Sequence, residues 1–210
     1  MTYTEKSYYF DYDSAVIETF LGDYKNITSE RELIHQLYLK VRDGWRYMPF
    51  NIGFNKAHFK ASNIAQKPNG HCIDKAILYI AFLRAFGIPA RLHLAKVSNH
   101  IATERLEKIV GTNELAPHGM VDVYHNKKWV KCSPAFNKEL CKLYNVDVLD
   151  FDGTQDAVLQ EYNKDNRQFM TYLEDYGHYE DVPLTFIKDT FRANYPEFYQ
   201  KFEGQGEIRL

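Results

Sequence analysis

Cys72 and His118 carry side chains that together can cleave an amide bond or transfer an acyl group. A cysteine attacks a carbonyl carbon when a neighbouring imidazole takes the thiol proton. The imidazole in turn needs a third polar group, which accepts a hydrogen bond from its other nitrogen and so fixes the orientation of the ring. The sequence therefore predicts a nucleophile and a base, and the surrounding elements must supply the third group.

Cys72 follows the turn signal Asn69-Gly70 and lies in the first turn of a predicted helix. Unpaired backbone N–H groups and the positive end of the helix dipole meet at such a position. This placement predicts a lowered thiol pKa and donors for an oxyanion. The alternative is a small buried cysteine that only packs.

A predicted hairpin begins at His118. Residues 118–125 (HGMVDVYH) and 128–132 (KWVKC) flank Asn126-Lys127, a pattern typical of two antiparallel strands joined by a tight turn. Pairing 121–125 with 128–132 puts position 135 opposite His118.

Side-chain alternation then places positions 133, 135 and 137 on the face of the sheet that His118 occupies. Ser133 and Asn137 are the polar members of this set. We expect Asn137 to orient the imidazole, with Ser133 as the second candidate.

Helices and a strand must hold these residues in place. Residues 29–43 (SERELIHQLYLKVRD) predict an amphipathic helix that opens with Ser29 and Glu32 as a capping box. The apolar segment after Cys72 predicts a helix buried on every side, which Gly87 and Pro89 end. Residues 90–97 then predict a strand, so the fold class is α+β.

The rest of the chain predicts an accessory layer and not an independent domain. Residues 183–195 (PLTFIKDTFRANY) indicate a helix stopped by Pro196. We expect the aromatics of the C-terminal part to cover the core; they include Phe169, Tyr172, Tyr176 and Tyr179. The prediction is one domain over 1–210, with a core at about 29–137 and accessory segments at 1–28 and 138–210.

Composition disfavours several classes of function. A net charge of -2 without a long basic run argues against nucleic acid as a partner, and the apolar runs are too short to span a bilayer. The polar, acidic N-terminus does not resemble a secretory signal. Cys132 and Cys141 are predicted to be structural, and three cysteines are too few for a disulfide framework, so we expect a cytoplasmic protein.

The ordered motifs resemble the transglutaminase-like superfamily of cysteine enzymes. They are G-x-C at the helix start, D-K-A-x-L, L-R-A-F-G-I-P-A-R, H-G-M-V-D-V-Y and K-W-V, preceded by VRDGWRYMPF at 41–50. The resemblance implies a papain-like α+β fold, with Cys72 as the nucleophile and His118 as its base. The family usually carries Asp four residues after the Trp of the second hairpin strand, and here Ser133 stands there.

The resemblance implies an enzyme that attacks amide or peptide carbonyls through a thioester and passes the acyl group to water or an amine. It implies no metal or organic cofactor, and the expected partner is a protein or peptide substrate. Because the third position lacks a carboxylate, the alternative is a catalytically weakened or inactive relative that serves as a binding or scaffold module. The sequence does not predict the oligomeric state.

Other motifs were weighed against this interpretation. Asp150 and Asp152, in VLDFDGT, resemble a phosphatase signature, but the chain after them does not predict the parallel-sheet domain that such enzymes need. Four histidines could bind a metal with Cys72 or Cys132, but they lack metal-site spacing; they are His71, His93, His100 and His125. His100 is a second candidate base. Asp74 and Lys75 are expected to favour the helix dipole and reach solvent or a core partner.

Overall fold

The fold was analysed in a computed structural model, which describes residues 2–49, 52–101, 103–202 and 207–208. Phe50, the last residue of the segment VRDGWRYMPF, lies outside the described residues. The helices are α1 (Ala15–Leu21), α2 (Glu30–Gly44), α3 (Ala61–Ala65), α4 (Cys72–Ala85), α5 (Thr103–Val110), α6 (Lys138–Leu143), α7 (Leu184–Asn194) and α8 (Pro196–Phe202). The strands are β1 (Arg46–Tyr47), β2 (Ile52–Gly53), β3 (Asn69–Gly70), β4 (Ala90–Asn99), β5 (Glu114–His125), β6 (Lys128–Cys132), β7 (Met170–Tyr179) and β8 (Glu207–Ile208).

A four-stranded antiparallel sheet in the order β6-β5-β4-β7 forms one layer of the protein. The predicted pairing of the hairpin is confirmed, with His125 opposite Lys128 and Val121 opposite Cys132, and its first strand begins earlier than predicted, at Glu114. Asn126 and Lys127 both have left-handed backbone angles, as the two central residues of a type I′ turn require. The strand from Ala90 is also confirmed and extends to Asn99.

Helix α4 is the centre of the core, as its nearly all-round apolar sequence predicts. Every residue from Cys72 to Arg84 is buried, and the helix packs against α2, α3, β4 and β5. Gly87 has a φ of +74° just beyond the helix end, a conformation that glycine adopts without strain. The helix thus brings its first turn to one end of the sheet.

Helix α2 covers α4 with the predicted apolar face. Leu33, Leu37 and Val41 are buried, and the Ser29 hydroxyl accepts the Glu32 backbone N–H at 3.3 Å. Ser29 therefore caps α2, but the reciprocal half of the predicted capping box is absent from the described contacts, because the Glu32 carboxylate accepts from Gln36 at 2.8 Å instead.

The C-terminal part differs from its prediction in two ways. Strand β7, which was not predicted, pairs with β4 and adds a fourth strand to the sheet. The helix predicted over 183–195 is present as α7, but Pro196 also opens α8, because proline fits the first position of a helix. The C-terminal segment therefore belongs to the same layers as the predicted core.

The DFDG segment bends the chain at Gly153. Gly153 has a φ of +83°, and the Asp152 carboxylate accepts from Thr154 N–H at 3.0 Å and from the Arg31 guanidinium. No helix within the described ranges is long and apolar enough to cross a membrane.

Candidate active site

Cys72 is the first residue of α4 and lies against strand β5. The backbone N–H groups of Gly119 and Ile73 lie near its sulfur and act to lower its pKa. Gly119 directly follows His118 in β5. The structure therefore brings the start of the helix and the start of the predicted HGMVDVYH strand to one point.

Gly119 permits this close approach. A Cβ atom at this position would lie 2.7 Å from the Ile73 Cα and 2.9 Å from its backbone nitrogen. Such distances are shorter than real Cβ contacts, so any larger residue would push β5 away from the first turn of α4.

The pKa of Cys72 differs from the sequence-based expectation. Burial raises it to about 11, and the Gly119 and Ile73 N–H groups lower it only in part. The prediction of a lowered pKa was wrong because it counted the helix terminus and omitted the loss of hydration caused by β5 and the C-terminal helices. At neutral pH the resting group is a thiol.

His118 is almost completely buried in β5. Burial lowers its pKa to about 4, and the nearby His71 adds to the shift. Its Nδ1 atom is buried and forms no hydrogen bond within the described part of the chain. The ring is therefore neutral at pH 7 and retains a nitrogen that can accept a proton.

Ser133 and Asn137 lie in different environments. Ser133 and His118 line the same small cavity, but no hydrogen bond joins them among the described residues. The Asn137 carboxamide instead accepts the Tyr47 N–H at 3.1 Å and donates to Glu139 at 2.5 Å. Asn137 is thus hydrogen-bonded to β1 and not to the imidazole.

Lys75 fixes the segment that carries Ser133 and Asn137. Its buried ammonium donates to the carbonyl oxygens of Arg42 at 2.8 Å, Trp45 at 2.9 Å and Ala135 at 2.7 Å. Burial lowers the pKa of this group to about 7. The expectation of a core partner for Lys75 is confirmed, and the partners are backbone carbonyls from two segments.

His71 caps the helix that Cys72 begins. Its Nδ1 accepts the Asp74 N–H at 3.1 Å, and the Asp74 carboxylate accepts the His71 N–H at 3.2 Å. Because Nδ1 is the acceptor, the neutral ring carries its proton on Nε2. Burial also lowers the pKa of His71, which keeps the ring neutral.

Asp74 is fully buried and stays charged through its neighbours. Burial alone would raise its pKa, but the imidazoles of His71 and His58 hold the pKa below the ordinary value. His58 Nε2 lies 3.2 Å from a carboxylate oxygen of Asp74, and Lys67 Nζ lies 3.1 Å from His58 Nδ1. This buried cluster holds the first turn of α4 rigidly beneath the thiol.

In the described part of the chain, this cluster of His58, His71 and Asp74 is the group whose potential ligand atoms lie close enough together to hold a metal ion. Ligand atoms of His58, His71 and Asp74 lie within 4.8 Å of one another, and two nitrogens with a carboxylate oxygen would suit Zn²⁺. The His71 Nδ1 atom already accepts the Asp74 N–H, and coordination through that atom would break the helix cap. Hydrogen bonding accounts for the arrangement of these groups.

The remaining histidines weighed above lie elsewhere. His93 bridges Asp122 and Asp175 within the sheet, and His125 contacts Glu30. His100 Nε2 lies 3.0 Å from the hydroxyls of Ser98 and Thr171. His100, the second candidate base, thus has its ring engaged at the far end of β4.

A cleft opens at the thiol. Cys72 and His71 line one end. The facing wall comes from α5, the start of β5, α7 and α8, and most of its side chains are apolar or aromatic. Phe191, Tyr195 and Phe198 form a buried aromatic cluster that is separate from the main core, and this cluster is part of the wall.

The family model of the transglutaminase-like superfamily matches residues 19–134, which is more than half of the 210-residue chain. The chain belongs to the transglutaminase-like superfamily. The matched range contains the α4 start, β4 and the β5–β6 hairpin, so it covers Cys72, His118 and Ser133. Membership confirms the resemblance and the papain-like fold class, and it supports a cysteine-enzyme type of function.

Among solved structures, this chain is similar to a candidate cysteine protease from Cytophaga hutchinsonii, with 16% sequence identity and a TM-score of 0.48. The alignment covers 88% of this chain and 48% of that one, so this chain spans about half the length of the other. No curated protein matches the sequence.

Sequence reasoning did not find the structural role of His71, His58 and Asp74. His71 and Asp74 have the spacing of a capping box, but histidine is not among the residues that usually signal one. His58 reaches the cluster from a separate segment, and only the tertiary fold brings it there.

Proposed function

We propose that this protein is a thiol acyl hydrolase or transferase in which Cys72 attacks an amide or peptide carbonyl. The thiol proton passes to His118 as the sulfur–carbon bond forms. The tetrahedral intermediate then collapses, the carbon–nitrogen bond breaks, and the imidazolium gives its proton to the leaving amine. The product of this half-reaction is a thioester on Cys72.

Water completes the reaction in the proposed hydrolytic form. His118 accepts a proton from the water, the new carbon–oxygen bond forms, and the released sulfur takes the proton back. An amine in place of water would give acyl transfer. We favour hydrolysis, with a protein or peptide amide as the substrate and a reducing, cytoplasmic setting that suits the three free cysteines.

One observation supports the proposal above the others. The residue next to His118, Gly119, packs directly against the first turn of α4, where Cys72 lies at an apolar cleft. The raised pKa of Cys72 and the lowered pKa of His118 favour a neutral resting pair over a thiolate–imidazolium pair. His118 would thus act as a general base during attack, and the neutral His71 ring can donate its Nε2 proton to the oxyanion.

A second candidate function is a binding module without catalysis. It is favoured by Ser133 at the position where the family usually has Asp, since a hydroxyl stabilises an imidazolium less than a carboxylate does. The two functions differ in whether the sulfur is needed.

Acylation by p-nitrophenyl acetate, followed by intact mass and peptide mapping, tests the proposal. We expect the wild type to acquire one acetyl group at Cys72 and Cys72→Ala to acquire none there. His118→Asn should acylate about 100-fold more slowly, in the range by which a general base accelerates such reactions. His178→Asn, at an exposed histidine of β7, is the matched control. An inert Cys72, or one indifferent to His118→Asn, would favour the binding module.

The pH dependence of this acylation follows from the neutral pair. A protonated imidazole cannot accept the thiol proton, so the rate should fall as the pH drops through the His118 pKa of about 4. Between about pH 6 and 8 the rate should be nearly flat, because neither group titrates there. Stopped-flow release of nitrophenolate at Cys72 measures this profile, and a rise centred near pH 6.5 would contradict it.

A further inference from the structure

The wall of the cleft opposite Cys72 has the chemistry of a selective pocket. Its described lining includes no Asp, Glu, Lys or Arg. The groups that face the thiol are instead apolar side chains from four elements and a loop, namely Phe54, Val110, Leu115, Ile187, Phe191 and Phe198. A charged group entering this cleft would lose its water and find no counter-charge.

The lining offers few polar atoms to an acyl group. The Tyr195 hydroxyl is already engaged, because it accepts the Ala116 N–H at 2.6 Å and donates to the Glu114 carbonyl at 2.8 Å. Tyr47 supplies one hydroxyl. Cys72 and His71 belong to the reacting end. A carboxamide has two N–H donors and an acceptor oxygen, so placed against the facing wall it would leave most of these groups without partners.

We propose that this cleft selects an uncharged, apolar acyl group, of the size of an aromatic ring or a branched aliphatic chain, for transfer to Cys72. This inference rests on the proposed function and names its substrate class. A glutamine-like carboxamide and a carboxylate are the disfavoured acyl groups, because the lining offers them no counter-charge and too few hydrogen-bonding partners. The apolar acyl group occupies the cleft, and its carbonyl carbon lies at the sulfur.

Three p-nitrophenyl esters of different acyl groups test the proposal. They carry 3-phenylpropionyl, 4-carbamoylbutanoyl and succinyl groups, which are apolar, glutamine-like and anionic. In each reaction the sulfur–acyl bond forms, the ester carbon–oxygen bond breaks, nitrophenolate leaves with the electron pair, and the thiol proton passes through His118 to water. Rates with free N-acetylcysteine correct for the intrinsic reactivity of each ester.

After this correction, we expect 3-phenylpropionyl transfer to be roughly 10-fold faster than 4-carbamoylbutanoyl and roughly 100-fold faster than succinyl transfer. Equal or faster corrected rates with the polar esters would overturn the proposal. Acylation by none of the three esters, with Cys72 still alkylated by iodoacetamide, would overturn the proposed function and this inference with it. Acylation without the expected preference would overturn the inference alone.

A matched pair of variants locates the selectivity. Val110 lines the cleft and is only half-buried, so a polar residue there should not prevent folding. Val110→Asp should slow 3-phenylpropionyl transfer about 10-fold, since a carboxylate then faces the apolar group. The near-isosteric Val110→Thr should change the rate less. Iodoacetamide labelling of Cys72 should stay the same in both, and an unchanged rate in Val110→Asp would overturn the assignment of this wall.

Discussion

His118 shows at the scale of a single residue how burial determines chemistry. The sequence offers His118 as a possible base for Cys72, and the hairpin pattern predicts that this histidine begins a strand. The sign of its pKa shift depends on segments that cover it from a distance, including the stretch from Val158 to Gln160 that lines its cavity. Residue identity was therefore predictable, whereas the protonation state of the pair was not.

The lowered pKa of His118 should make folding pH-dependent. Unfolded histidine has a pKa of about 6.5, so between pH 6.5 and about 4 the unfolded chain binds the extra proton. The free energy of unfolding should therefore decrease as the pH falls through this window, by on the order of 2 kcal/mol from this residue.

Urea unfolding of the wild type and His118→Asn at pH 7 and pH 4.5 measures that contribution. We expect the loss of stability on acidification to be smaller in His118→Asn, and unchanged in the exposed control His178→Asn. An equal loss in all three proteins would show that other groups cause the acid sensitivity.

His71 should contribute stability as a helix cap. Removing an N-terminal cap costs about 1 kcal/mol, and His71→Ala would also leave the buried Asp74 carboxylate without one of its partners. We expect His71→Ala to lower the free energy of unfolding by about 2 kcal/mol and His71→Asn to restore at least half of it, since asparagine caps well. Chemical denaturation measures both, and equal losses would contradict the capping role.

At the scale of elements, local sequence patterns predicted helices and the hairpin correctly, whereas the long-range pairing of β7 with β4 was not predicted. The β5–β6 hairpin and α4 follow from turn residues and apolar pattern within a few residues of each other. Strand β7 pairs with β4 from far along the chain, and the pairing shifts register at two irregularities. No local pattern specifies such a partner, so the strand was not predictable.

Lys75 links two segments to the central helix, and its loss should be costly. Lys75→Met keeps the length of the side chain but leaves the carbonyls of Arg42, Trp45 and Ala135 without their donor. We expect the free energy of unfolding to fall by about 3 kcal/mol, in the range found when one partner of a buried polar group is removed. Lys164→Met, in an exposed ion pair, should cost less than about 1 kcal/mol. Equal midpoints of urea unfolding for the two variants would contradict this role.

At the scale of the whole molecule, the docking of the C-terminal helices depends on a tyrosine. Tyr195 lies between α7 and α8, and its hydroxyl is bound to the backbone of β5. Tyr195→Phe keeps the ring and leaves the buried Ala116 N–H without its acceptor, which should lower the melting temperature by roughly 2–6 °C.

Differential scanning calorimetry and limited proteolysis measure this effect together. We expect the cuts in Tyr195→Phe to increase within α7 and α8 while β5 stays protected. Tyr162→Phe, at an exposed tyrosine, is the control. Uniform digestion of both variants would indicate that the hydroxyl does not hold the helices in place.

The family match ends at residue 134, while the aromatic wall opposite Cys72 lies largely in α7 and α8, beyond that range. The reactive thiol and the surface that would choose its substrate are therefore encoded in separate stretches of the gene. Mutation can remodel the second stretch without disturbing the first. Changes confined to the C-terminal helices would then alter which substrates are accepted and leave the reaction at Cys72 the same.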